Sequence, residues 1–157
     1  MFTGDRSGEW LYRALHKAGF ANQSTYERAD DGLRLMNCAI TATCHCAPPD
    51  NKPTNDEIVN CSGWFEATYD LVQPRVVVAL GGIAFNTVCK FWRGRRLLAQ
   101  SHSFAHGCEV EATDGTWLVA SYHPSQQNTF TRRLTEPMFD AIFERAVVAL
   151  SLRDRKA

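Results

Sequence analysis

Residues 75–80, Arg-Val-Val-Val-Ala-Leu, run into Gly81-Gly82 and then into Ile83-Ala-Phe-Asn-Thr-Val-Cys-Lys-Phe91. Their reading decides the fold. An apolar run without polar alternation is the mark of a strand buried on both faces, as in a parallel sheet. The glycine pair turns the chain, and residues 83–91 read as the helix that follows. Upstream, Thr54 and Glu57 have capping-box spacing and predict a helix to about Leu71. Downstream, Cys108–Ala112 and Thr116–Tyr122 flank Asp114-Gly115, a strong hairpin signal.

Further out, Ser7 is placed to cap a helix with the stripe Leu11, Ala14, Leu15 and Ala18, stopped at Gly19. Leu33–Ala42 reads as a strand entering a Cys/Pro loop. Thr135 is placed to cap a last helix with Pro137 in its first turn and a buried stripe of Met138, Phe139, Ile142, Phe143, Ala146, Val147 and Leu150. Helices alternating with apolar strands argue an α/β fold, a three-layer αβα sandwich on a mostly parallel central sheet, in one domain spanning 1–157. Ligands in such sheets bind beyond the carboxyl ends of the strands. The loops expected there are Cys44–Pro53, Gly81-Gly82 and His123–Arg133.

The chain has 157 residues, 45% of them hydrophobic, enough for one ordinary core. Lys and Arg total 17, as do Asp and Glu, so a nucleic-acid site would have to come from local clustering. No stretch approaches a membrane span, and the start lacks the character of a signal peptide. A cytoplasmic location and a monomeric state are therefore the default expectations. In that compartment the six cysteines are thiols or metal ligands rather than disulfides.

Four features could carry chemistry. Cys46 and Cys61 stand 15 positions apart around a rigid Pro-Pro-Asp-Asn-Lys-Pro loop. Two thiolates are too few for a closed zinc or iron–sulfur site, and buried apolar cysteine is the plainer alternative. His123, in Ser121-Tyr-His-Pro-Ser125, sits at a strand end where a site belongs, although a lone histidine is more often structural. Asp5, between glycines before a helix, could orient a water or simply favour the helix dipole. Lys90, Arg93, Arg95 and Arg96 cluster beside Phe91 and Trp92. Arg132 and Arg133 follow the His123 loop, and Arg153, Arg155 and Lys156 close the chain. Such clusters suit phosphate contact or a solvated surface.

Together these segments resemble the family 5 (type B) iron–sulfur branch of the uracil-DNA glycosylases. The resemblance rests on FTGDRSGEWLYRALHKAGFAN (2–22), CAPPDNKPTNDEIVNC (46–61), RVVVALGGIAFNTV (75–88), and FAHG (104–107) with SYHPSQQNTFTRRLT (121–135). It implies an enzyme that hydrolyses the N-glycosidic bond of uracil, and of other deaminated bases in some members, flipped out of DNA. It implies a catalytic set of His123, Asp5 and Asn51. His123 would hydrogen-bond the uracil carbonyl, Asp5 would position the attacking water, and Asn51 would contact the base. Phe2 would stack on the flipped uracil, with Ser125 beside it in substrate binding. Gln126, Gln127, Asn128, Arg132 and Arg133 would meet DNA. Cys46 and Cys61 would be two of four ligands to a structural [4Fe–4S] cluster.

The resemblance also implies an upstream portion carrying a Cys-x-x-Cys pair, a Gly-Leu-Ala-Pro-like loop and the first strand. The expectation is thus an N-terminally truncated chain, unstable or inactive as written. Three rivals predict different behaviour: a non-catalytic DNA- or cluster-binding remnant, an unrelated α/β nucleotide hydrolase, and a structural domain with core cysteines.

Overall fold

The computed structural model describes residues 6–28, 30–45 and 53–154, with the side chains of 153 and 154 excepted. The elements are α1 (Arg6–Lys17), α2 (Asn55–Val72), β1 (Val76–Leu80), α3 (Gly82–Gly94), β2 (Glu109–Glu111), β3 (Trp117–Ser121), α4 (Gln126–Phe130) and α5 (Glu136–Asp154). The α/β reading holds. Among the described residues the sheet has three strands in the order β1-β3-β2. β1 runs parallel to β3, from Val76↔Trp117 to Leu80↔Ser121, and β2 is antiparallel to β3. The longer pairing, β1 with β3, is parallel, so the small sheet is mostly parallel with one short antiparallel strand, and among the described residues β1 forms one edge of it.

Side-chain alternation along the strands divides the core in two. Val76, Val78, Leu80 and Val119 face α1 and α5, where Leu11, Leu15, Phe139, Ile142 and Phe143 are buried. Val77, Ala79, Leu118 and Ala120 face α2 and α3, where Phe65, Phe85, Val88 and Trp92 are buried. The three layers follow from this two-sided burial.

Local chemistry explains the boundaries. Thr54 and Glu57 close the expected capping box around the start of α2. Gly19, at φ +82°, ends α1 in a Schellman motif, with Phe20 N–H on the Leu15 carbonyl and Gly19 N–H on that of His16. Asp114 accepts from Thr116 N–H in the hairpin turn, while Gly115 takes φ +79°. Ser7 departs from its expected place: Arg6 is already helical, so Ser7 lies inside the first turn and is not the cap.

Two further expectations are corrected. Residues 33–42 form no strand. One bridge joins Leu35 to Ala21, and Asn22 replaces ladder bonds with its own side chain, accepting from Arg34 N–H and donating to the Gly32 carbonyl. Asn37, at φ +50°, then breaks the extended path. Leu33, Leu35, Cys38 and Ile40 still pack against the α1–α5 core, which is why the apolar pattern resembled a strand. The loop beginning at Cys44 therefore does not leave a strand. In α5, Val147 is exposed, because it lies one residue, about 100° of helix, past the buried Ala146. Ala149 takes the inward place.

Candidate active site

Because β1 and β3 are parallel and in register at Leu80↔Ser121, their carboxyl ends meet at one edge. Gly81 follows one strand and Tyr122-His123 the other. Gly81 N–H donates to the Ser121 carbonyl at 2.7 Å. A Cβ at Gly81 would stand 3.3 Å from the His123 Cβ, so the absence of a side chain lets the two turns close against each other. Gly81 has φ +96° and ψ 163°, a region open essentially to glycine alone. It is also the N-cap of α3, which brings the positive end of that helix dipole to the same edge.

The loop after β3 is held by its own sequence. Pro124 is fully buried and fixes the backbone beyond His123. Ser125 is the N-cap of α4, its hydroxyl accepting from Asn128 N–H at 3.4 Å. The Asn128 side-chain amide donates to the His123 carbonyl at 2.8 Å, and the Asn128 backbone carbonyl accepts from Leu134 N–H. Arg132 turns the chain at φ +57° before the buried Leu134 pins it. His123 is half-buried at the head of this loop, while Gln126, Gln127, Phe130, Arg132 and Arg133 are exposed. Ser125 and Asn128, expected to face substrate and DNA, spend polar atoms inside the loop.

Phe130 received no individual role from the sequence. It is 63% exposed, and the Arg6 guanidinium lies 4.5 Å over its ring. The start of α1 thus rests on the His123 loop. Arg133 likewise covers Tyr122 at 4.5 Å. The visible signal was a phenylalanine in an otherwise polar run.

Phe2, Asp5, Cys46 and Asn51 lie outside the described residues. Cys61 is half-buried on α2. Among the described residues no three His, Cys, Asp or Glu side chains converge on a metal position. These residues alone therefore do not fit a four-thiolate cluster. Burial pushes the Cys38 and Cys89 thiols up, away from the thiolate form that a metal or nucleophilic role needs.

The basic cluster does not join the site. α3 starts at the carboxyl edge and runs about 20 Å to the opposite end of the sheet. There Thr113, in the β2–β3 turn, donates to the Leu97 carbonyl. Trp92 is fully buried with its indole N–H on the Tyr69 hydroxyl at 3.0 Å, so it is core and not a nucleic-acid contact. Arg95 forms a forked pair with Asp70 and covers Phe91. Two hollows open elsewhere on the surface. One of about 370 Å³ lies between β2 and α5, lined in part by Glu109, Trp117 and Arg145; one of about 210 Å³ lies by Lys17 and Asp140.

The sequence matches the uracil DNA glycosylase superfamily over residues 1–147. The chain belongs to that superfamily. Among relatives of this glycosylase-superfamily chain, a type-5 uracil-DNA glycosylase of Mycobacterium leprae is 47% identical over 148 residues, covering 93% of this chain and 64% of its own. One of Mycobacterium tuberculosis is 47% identical over 152 residues, covering 93% and 54%. One of Thermus thermophilus is 44% identical over 139 residues, covering 88% and 62%. The chain thus spans between about half and two thirds of the length of these relatives. No described helix is long and apolar enough to cross a membrane.

The Gly81–His123 contact yields a direct prediction. Gly81→Ala should cost about 1–3 kcal/mol of stability from backbone strain alone. It should also displace His123, because the new methyl group meets its Cβ. Urea unfolding reads the first effect. An unchanged midpoint would show that the turn tolerates a side chain.

Proposed function

We propose that this chain is a DNA repair glycosylase that excises uracil from DNA, with the reaction centred on His123 at the carboxyl edge. The observation that carries the reading is the closure of Gly81 on His123, at the head of a loop whose outer face is exposed Gln126, Gln127, Phe130, Arg132 and Arg133. A strand-end imidazole beside a helix N-terminus suits a developing anion, and the flanking cations suit phosphate.

In the proposed reaction the uridine is everted so that its glycosidic bond is reachable. The C1′–N1 bond breaks, and its electron pair leaves with the base. Negative charge grows on the uracil carbonyl, where His123 donates a hydrogen bond. Water attacks C1′, its oxygen stays on the sugar as the hydroxyl of the abasic site, and its proton ends, through solvent, on N1 of the departing uracil anion. Asp5 positions that water, Phe2 stacks on the base, and Asn51 contacts it. Ser125 lends its hydroxyl to the helix cap and its position to the substrate side. A [4Fe–4S] cluster holding Cys46 and Cys61 belongs to the proposal as a structural group. It needs two thiolates beyond that pair, and iron and sulfide analysis of the purified protein tests it.

The test of function is incubation with single- and double-stranded oligonucleotides carrying one uracil, then alkaline cleavage at abasic sites. The reading expects cleavage at uracil and none in a thymine control. Binding without excision would favour a non-catalytic remnant. Equal action on free nucleotides would favour a nucleotide hydrolase.

Phe130 has a specific expected part in this reaction. An exposed aromatic ring on the DNA-facing loop can occupy the gap that the everted base leaves in a duplex. Base–aromatic stacking is worth about 1–3 kcal/mol, so Phe130→Ala should slow excision from duplex about tenfold. Excision from single strands, which have no gap to fill, should change little. Equal losses on both substrates would remove the ring from that role.

A further inference from the structure

The ladder of β3 ends in a substitution of side chain for backbone. Ala120 N–H donates to the Cys108 carbonyl, and Gly107 N–H donates to the Ala120 carbonyl at 2.8 Å. Two residues on, Tyr122 N–H donates to the imidazole Nδ1 of His106 at 3.1 Å. The ring also stacks on Tyr122, with centroids 5.1 Å apart and planes at 24°. The nearby Met138 backbone favours the charged ring, against its burial. With Nδ1 accepting from Tyr122, the neutral ring carries its proton on Nε2.

We infer that His106 is a positioning residue that holds the end of β3, and through it His123, in the geometry the proposed reaction needs. Tyr122 N–H belongs to the Ser121–Tyr122 peptide, one residue before His123, and the donor is part-buried. The acceptor that satisfies it comes from the 104–107 segment, which braces both turns of the site. Phe104 would meet a Cβ on Gly82 at 3.5 Å and packs edge-on to Tyr122. The Gly107 carbonyl is tied to α5 by the Arg145 guanidinium at 3.3 Å. Removing the imidazole therefore leaves a part-buried donor unsatisfied one residue from the reacting group.

The acceptor role requires the neutral ring. Burial, and then the charge of Arg145, outweigh the opposing influence of the Met138 backbone and set the His106 pKa below its usual 6.5. The groups facing it are Arg145 of α5, itself paired with Glu109 of β2, and Tyr122, whose ring Arg133 covers. A depressed folded pKa means that the bond is intact at neutral pH. It is lost as pH falls below 6.5 through the lowered value.

The inference rests on the glycosylase reading, and the experiment separates the two. His106→Ala, His106→Asn and His106→Gln are compared with the wild-type chain. Asn places a non-titrating oxygen near Nδ1, whereas Gln supplies a group near Nε2 alone. Amide exchange at Tyr122 and His123, followed by NMR, should quicken about tenfold in His106→Ala, the factor expected for one neutral hydrogen bond. His106→Asn should restore protection and His106→Gln should not.

In single-turnover uracil excision, His106→Ala should lose about tenfold in rate with little change in DNA affinity. His106→Asn should recover most of the rate and lose the wild-type decline on acidification below pH 6.5. If the wild type excises nothing, the glycosylase reading fails, yet the exchange pattern still upholds or rejects the brace. Wild-type Tyr122 exchange already as fast as that of His106→Ala would overturn the inference. So would Asn and Ala variants that are equally protected, or equally active.

Discussion

Uracil excision by His123→Ala is expected to run at least a hundredfold slower than wild type in single turnover. Loss of one donor aimed at a developing anion typically costs about 10²–10³ in rate. The loop should survive the substitution, because the structure holds it elsewhere: Pro124 is fully buried, Asn128 grips the backbone carbonyl of residue 123, and Ser125 caps α4. None of these contacts uses the imidazole. DNA affinity, measured separately on a noncleavable uridine analogue, should therefore change far less than the rate. A variant within twofold of wild type in rate would take the imidazole out of the reaction.

The second large effect is on stability. Trp92→Ala should destabilise the fold by about 3–5 kcal/mol, the usual cost of removing a large aromatic side chain from a core. The indole is fully buried between α3 and the sheet, and its N–H donates to the Tyr69 hydroxyl. The truncation leaves a cavity and removes a buried hydrogen bond at once. With a urea dependence of about 2 kcal/mol per molar, the midpoint should fall by about 2 M. Arg96→Ala, an exposed change in the same cluster, should stay within about 0.5 kcal/mol of wild type. Comparable shifts from both variants would mean that Trp92 is not the core residue described.

Trp92 also shows where sequence reading stopped. Residues 90–96 bring four cations beside two aromatic rings, which resembles a phosphate-binding strip. Whether it faces DNA depends on which end of α3 meets the site. That end is set by the parallel pairing of β1 with β3, a contact across some forty residues. The features that were legible are those whose cause is local. The unalternated run of β1, the Thr54–Glu57 box, the Asp114-Gly115 turn and the histidine closing β3 each carry their reason within a few residues. Residues 33–42 misled because a segment laid along a core shows the apolar spacing of a strand, while among the described residues it pairs through a single bridge. His106 went unassigned because its role depends on where the β2–β3 ladder runs out, sixteen residues from its hydrogen-bond partner.

The most direct measurement is a map of backbone chemical shifts on titration with a single-stranded oligonucleotide carrying a noncleavable uridine analogue. If the carboxyl edge is the DNA-facing side, the changes will gather at Gly81, Gly82 and residues 122–133, and Lys90–Arg96 will stay still. Changes concentrated on Lys90, Arg93 and Arg96, with His123 unmoved, would place the nucleic acid at the wrong end of the sheet for this account.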